Sequence, residues 1–280
     1  MRLHALLICL CLAVAPAAFA GTDDFAVGPQ YDTTHVYVAP AYVDAFVKSF
    51  ATTFGGTSTG QVVATVTPTP STTSSQLVQT PAGTVSVFGF RTPVPYPFGL
   101  ERTGYLVTDL DEAVKAANAA GAATLVTPFN DPIGRDAVVT WPGGVNMQLY
   151  WHTKKPNYAP FERVPENRIY LPAISADAFV KAFVAFSHGK VVSDDAKAPA
   201  TEIGRTGGTY RRIRVASGYG KATVIVTNGQ LDWPYGSELT GYDVSDLDAT
   251  LGRARASGAK VVVDAHAEAG RRSAMVQFPG

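Results

Sequence analysis

The chain has 280 residues, 46% of them apolar, and its 23 Lys and Arg balance 23 Asp and Glu, so the formal net charge is zero. That length suits one large or two small domains around an ordinary core, and the scattered basic residues leave no electrostatic footprint for nucleic acid or an anionic membrane. Both cysteines, Cys9 and Cys11, fall in an N-terminal segment expected to be removed, which excludes disulfides, thiol nucleophiles and thiolate metal sites from the mature chain.

That segment opens with Arg2, continues through an apolar run over 5–17 and ends on Ala18-Phe19-Ala20. It reads as a secretory signal peptide, residues 1–20, cut after Ala20, so the product is expected to be secreted or periplasmic and free of the membrane. A membrane anchor would need about 20 apolar residues and different flanks. A polar leader over 21–33 follows. Then come a strand over 35–38, a helix over 42–54 ended by Gly55-Gly56, a strand over 61–66, a Thr/Ser/Pro-rich loop over 67–75, and two strands over 76–78 and 84–90.

The next stretch repeats the order strand, helix and three strands. Residues 103–107 read as a strand and 109–120 as a helix whose start is capped by Asp109, with Glu112 placed to reach back as in a capping box. Leu110, Ala113, Val114 and Ala117 recur on one helical face, and Gly121 stands where a left-handed terminator is usual. A strand starts near Ala122, and a hairpin from Arg135 to His152 turns at Pro142-Gly143-Gly144.

An internal repeat organises the rest. Thr103-Gly104-Tyr105, Val107 and Asp109-Leu110-Asp111 return 137 positions on as Thr240-Gly241-Tyr242, Val244 and Asp246-Leu247-Asp248, and Asp44 to Lys48 return 133 positions on as Asp177 to Lys181. The chain therefore reads as an α+β protein of four βαβββ modules. They pair as two halves, 31–152 and 166–280, joined by a Pro- and Lys-bearing linker over 153–165.

Paired βαβββ modules carrying Val107-Thr108-Asp109-Leu110-Asp111, Gly121-Ala122-Ala123 and Trp141-Pro142-Gly143-Gly144 resemble the vicinal oxygen chelate superfamily of glyoxalase I, extradiol dioxygenases and bleomycin-resistance proteins. The resemblance covers nearly all of the mature chain. It implies two glyoxalase-like half-barrels whose inner faces can carry a divalent metal that chelates two substrate oxygens, in a superfamily that also contains non-catalytic binders. Under it His35 falls at the first-strand ligand position and Gln148 where the last strand usually offers a Glu. Arg102 takes the place of a His and would repel a cation, Val87 and Phe88 cannot coordinate, and Glu101 is expected on the opposite face from the cleft.

Strand alternation puts Tyr150 and His152 on the face of Gln148, so a set of His35, Gln148 and His152 is one reading of the first half. The other makes His35 a hydrogen-bonded wall residue. A metal, if one binds, belongs to the first half only, because His35 maps to Arg168 and Arg102 to Leu239. The counterpart of Gln148 would fall at 285, so the resemblance leaves the second half without its final strand here.

Other signals are bland. Arg211, Arg212 and Arg214 read as a solvated strand face, His266 and Glu268 as a surface loop, and the aromatics of 95–99 and 232–236 as pocket lining or module staples. The expected partner is a small molecule held in the first cleft by His35, Arg102, Gln148, Tyr150 and His152. The alternative is a lyase or dioxygenase using a divalent metal on His35 and Gln148, and a homodimer is compatible with either.

Overall fold

The computed structural model describes residues 24–268 and 270–280. The expected signal peptide at 1–20 lies outside them. Among the described residues no helix is long and apolar enough to cross a membrane.

The first two modules build one twisted sheet. Its strands are β1 (Thr33–Tyr37), β2 (Thr57–Ser58), β3 (Val62–Ala64), β4 (Thr73–Thr80), β5 (Gly83–Phe90), β6 (Thr103–Leu106), β7 (Ala123–Asn130), β8 (Gly134–Trp141) and β9 (Val145–His152). They run in the order β2-β4-β5-β1-β6-β9-β8-β7, with β3 also on β4. The two modules meet where β1 pairs antiparallel with β6, Thr33 opposite Gly104. Alternation along β1 then decides what faces where. Val36, with Val85 and Val87 of β5, packs outward against helix α1 (Val43–Phe54), while Thr33, His35 and Tyr37 face inward.

The third module gives β10 (Glu166–Leu171), α3 (Ala173–Ser187), β11 (Lys190–Pro199), β12 (Thr209–Ser217) and β13 (Gly220–Val226). The fourth gives β14 (Thr240–Gly241), α4 (Leu247–Ala256), β15 (Lys260–Glu268) and β16 (Arg271–Gln277). A five-stranded sheet runs β11-β12-β13-β10-β14, and β15-β16 forms a separate hairpin. The second half thus repeats the architecture of the first, with two strands after the helix in its last module.

Helix α2 (Leu110–Ala120) packs against α3, and α1 against α4. The larger core lies between the halves, where Trp141, Tyr105 and Met147 from one side meet Phe179, Phe183 and Phe186 from the other. Phe278 enters the second cluster, with Phe46, Phe50, Phe54 and Tyr242 around it.

The repeat is written into local chemistry. Asp109 accepts a hydrogen bond from the Glu112 amide and Asp246 from the Ala249 amide, each capping its helix. Arg135 holds both oxygens of Asp111, and Arg272 both of Asp248. Gly121 ends α2 at φ 111°, which only glycine adopts cheaply.

Several expectations need correction. The capping box is half made, because the Glu112 carboxylate pairs with Lys115 instead of turning back. Residues 67–75 are not a free polar tip, since buried Thr67 and Ser71 hydrogen-bond each other and β4 already begins at Thr73. The leader is not merely polar, as Phe25 and Ala26 pack on the core and Val27 donates to the Leu106 carbonyl. Arg212 is buried against Glu202 rather than solvated, and His266 sits on β15, paired with Ser273, rather than in a loop.

Candidate functional site

The concave face of the first half collects polar groups that elsewhere would face water. His35 is 2% exposed and Glu101 fully buried. His35 Nδ1 lies 3.4 Å from Glu101 Oε1, placed to donate to the carboxylate, and the Tyr37 hydroxyl donates to the same oxygen. Glu101 Oε2 has no hydrogen-bond partner. Burial, then the charge of Glu101, pushes the Tyr37 phenol well above its usual range, so it stays a donor.

This placement reverses the expected roles of Glu101 and Arg102. The ladder ends at the bond from the His35 amide to the Arg102 carbonyl, and β6 begins only at Thr103. Pleat alternation therefore does not extend to Glu101, which turns in under His35 while Arg102 is exposed. A glycine is needed opposite. A Cβ at Gly104 would stand 2.5 Å from His35 Nε2 and 2.9 Å from the Tyr150 ring. His35 also packs edge-on against Phe88 at 5.3 Å, so it is held on every side as part of the wall.

Gln148, Tyr150 and His152 do share the inner face, as expected from alternation. Gln148 hydrogen-bonds Asp136, whose carboxyl burial drives well above the usual carboxylate range. Tyr150 gives its hydroxyl to the Tyr31 carbonyl, and its ring lies 5.2 Å from that of His152, whose pKa burial lowers. Beside them the half-buried Tyr37 stacks on Phe88 at 5.3 Å and on Phe90 at 6.1 Å, all three on the inner face. The result is a half-buried aromatic stack on the same face of the sheet as an amide and a carboxyl.

The second half carries the same frame with one exchange. Tyr170 donates to Glu238 Oε1, as Tyr37 does to Glu101, and Arg168 stands in place of His35 with Nη1 3.6 Å from that oxygen. Burial raises the Glu238 pKa, and the Arg168 charge opposes the rise.

Does either frame suit the divalent metal that the resemblance implies? Among the described residues no group of three or more His, Cys, Asp and Glu side chains is arranged to hold a metal ion. His35 and Glu101 are suitable donor types, but they face each other, Tyr37 occupies the same carboxylate oxygen, and Gln148 is engaged by Asp136. As arranged, these residues do not form a ligand set.

Sequence reasoning put Glu101 on the opposite face and did not single out Tyr37 or Asp136. The first two were within reach of the repeat, because 137 positions separate Glu101 from Glu238 and 133 separate Tyr37 from Tyr170. Asp136 has Ser273 at its equivalent and left no such trace.

No protein-family model matches the sequence, and no curated protein does. Solved structures do. A triple mutant of 4-hydroxymandelate synthase from Streptomyces coelicolor is 14% identical with a TM-score of 0.54, over 86% of this chain and 77% of that one. A xylose isomerase-like TIM barrel/4-hydroxyphenylpyruvate dioxygenase fusion protein is 15% identical with a TM-score of 0.50, over 89% of this chain but only 41% of its own. At such identities the likeness speaks for the fold alone. Taken with the order of the strands and the doubled frame, it shows that this chain has the tandem βαβββ fold of the vicinal oxygen chelate superfamily.

Proposed function

We propose that the protein is an exported, metal-independent member of this fold that binds a small polar or aromatic molecule in the first half-barrel. The observation that carries this reading is the half-buried stack of Phe88, Tyr37 and Phe90 on the face that also carries Gln148 and the buried Asp136. A planar ligand laid on that stack gains about 0.5–1.5 kcal/mol per ring contact beyond its buried area. Gln148 and Asp136 then supply directional hydrogen bonds at its edge. In this reading the cluster of His35, Glu101 and Tyr37 is a rigid polar floor, not a metal cradle. Neutral net charge and the absence of a basic patch in the sequence agree with a small-molecule partner rather than nucleic acid.

The test is a ligand screen by thermal shift and NMR on the mature protein, followed by Phe88→Ala and Gln148→Ala. Hits that lose roughly tenfold or more in affinity in both variants support the proposal. Hits indifferent to both would sink it. The second reading, a divalent-metal-dependent lyase or dioxygenase, is favoured by the unpartnered Glu101 Oε2 beside an imidazole. Near-stoichiometric metal that disappears in His35→Ala would put that reading first. Export predicts a secreted product beginning at Gly21 by mass spectrometry.

A further inference from the structure

The second half-barrel has its own small recess, of about 50 Å³, lined by Arg168, Glu202, Tyr235, Arg271 and Met275 among others. Two guanidinium groups line it. Glu202 is already spoken for, since Tyr210 and Arg212 both donate to it, and these bonds hold it below its usual pKa against the opposing effect of burial. Arg168 is different. Its side chain is 14% exposed, its Nε has no partner, and its approach to Glu238 is loose at 3.6 Å. Across the recess Arg271 meets Glu166 only at 3.9 Å and is 42% exposed.

A guanidinium has five N–H donors in a planar fork that matches two oxygens of a carboxylate or phosphate. Two such forks line one recess here, one of them with a buried donor that has no partner, while Glu202 is taken up by Tyr210 and Arg212 and the approaches of Glu238 and Glu166 are loose. Burying that donor without a partner costs free energy that an incoming acceptor would recover. We propose that the second half-barrel binds a small oxyanion, a carboxylate or a phosphate, between Arg168 and Arg271. Where the first frame places a neutral-capable imidazole over its glutamate, the second places a permanent charge, and that exchange converts a polar floor into an anion site. Tyr235 and Met275 supply an apolar flank, so a carboxylate with a short hydrocarbon body fits the lining better than a bare phosphate.

The experiment titrates the mature protein with sodium propionate, with inorganic phosphate, and with potassium chloride at matched ionic strength, followed by thermal shift and by two-dimensional NMR. Propionate or phosphate is expected to raise the melting temperature beyond the chloride control, with propionate the stronger of the two. Arg168→Gln should weaken binding roughly tenfold, the loss of one charge-assisted bidentate contact, and Arg271→Gln by roughly threefold, as befits its exposure. Lys115→Ala, a charge removed on the other half, should change nothing. If neither anion outperforms chloride, or if Arg271→Gln and Arg168→Gln bind as the parent does, the proposal falls. Should Arg168→Gln fail to fold, an unchanged affinity in Arg271→Gln overturns it alone. Phe88→Ala in the first cleft must leave anion binding intact, which separates this site from the one proposed above.

Discussion

The two half-barrels are built on one frame and differ at its centre. In the first, His35 and Tyr37 converge on Glu101, and in the second, Arg168 and Tyr170 converge on Glu238. The scaffold around each centre is kept: an aspartate cap, an arginine-aspartate clamp from the helix to the hairpin, and a glutamate on the connection between modules. What changed is a single side chain that can shed its charge against one that cannot. The comparison teaches that duplication preserved the architecture that positions a charge, while the charge itself was free to vary.

The strongest way to break the comparison is to deny that the halves stand as one body. Phe183 of α3 packs edge-on against Trp141 of β8, at 5.8 Å, and near Tyr105 of β6. Phe183→Ala should cost about 3–5 kcal/mol, read as a lowered urea midpoint with one shared transition for probes in both halves. Two separate transitions in the parent would show that the halves are energetically independent. Next, removing the glutamates should hurt unequally. Glu238→Ala leaves Arg168 charged, largely buried and unpaired, at a cost of about 3 kcal/mol, whereas Glu101→Ala leaves an imidazole that can be neutral and should cost about 1–2 kcal/mol. Equal losses by chemical denaturation would mean that the two centres carry the same charge after all.

A smaller effect sharpens the first frame. Gly104→Ala places a methyl against His35 and Tyr150 and should destabilise by about 1–3 kcal/mol. The equivalent Gly241→Ala should be nearly silent, because a Cβ there meets nothing nearer than Glu166 at 3.8 Å. The smallest effect is a slope. Burial raises the folded-state pKa of Asp136 above its unfolded value, so the folded protein keeps a proton that the unfolded chain has lost. The stability this group contributes is whole below the unfolded pKa of about 3.9 and is lost as pH rises through the folded pKa. Asp136→Asn should flatten that decline, seen as a melting temperature that falls less between acid and neutral pH than in the parent.

Much of the fold was legible because its causes are local. The aspartate caps, the glycine that ends α2, the hairpin turn and the repeat offset each follow from a few neighbouring residues. The site was legible only in part. Alternation along β9 correctly put Gln148, Tyr150 and His152 on one face, but the same rule misplaced Glu101, since it was applied one residue past the end of the ladder. Arg212 and His266 were misread because each lay in a polar stretch: Arg212 is buried against Glu202, ten residues before it, and His266 lies on β15 opposite Ser273.

By itself, then, the sequence determined the four modules, their order and the type of residue available at each centre, because propensity, capping and periodicity act over a few residues. Only the tertiary structure decided which of those residues meet. Tyr37 and Glu101 are 64 positions apart, and Arg168 and Arg271 more than a hundred, so their encounter depends on how strands end and sheets curl. Local rules stop at the end of each strand, and both centres lie just beyond that point.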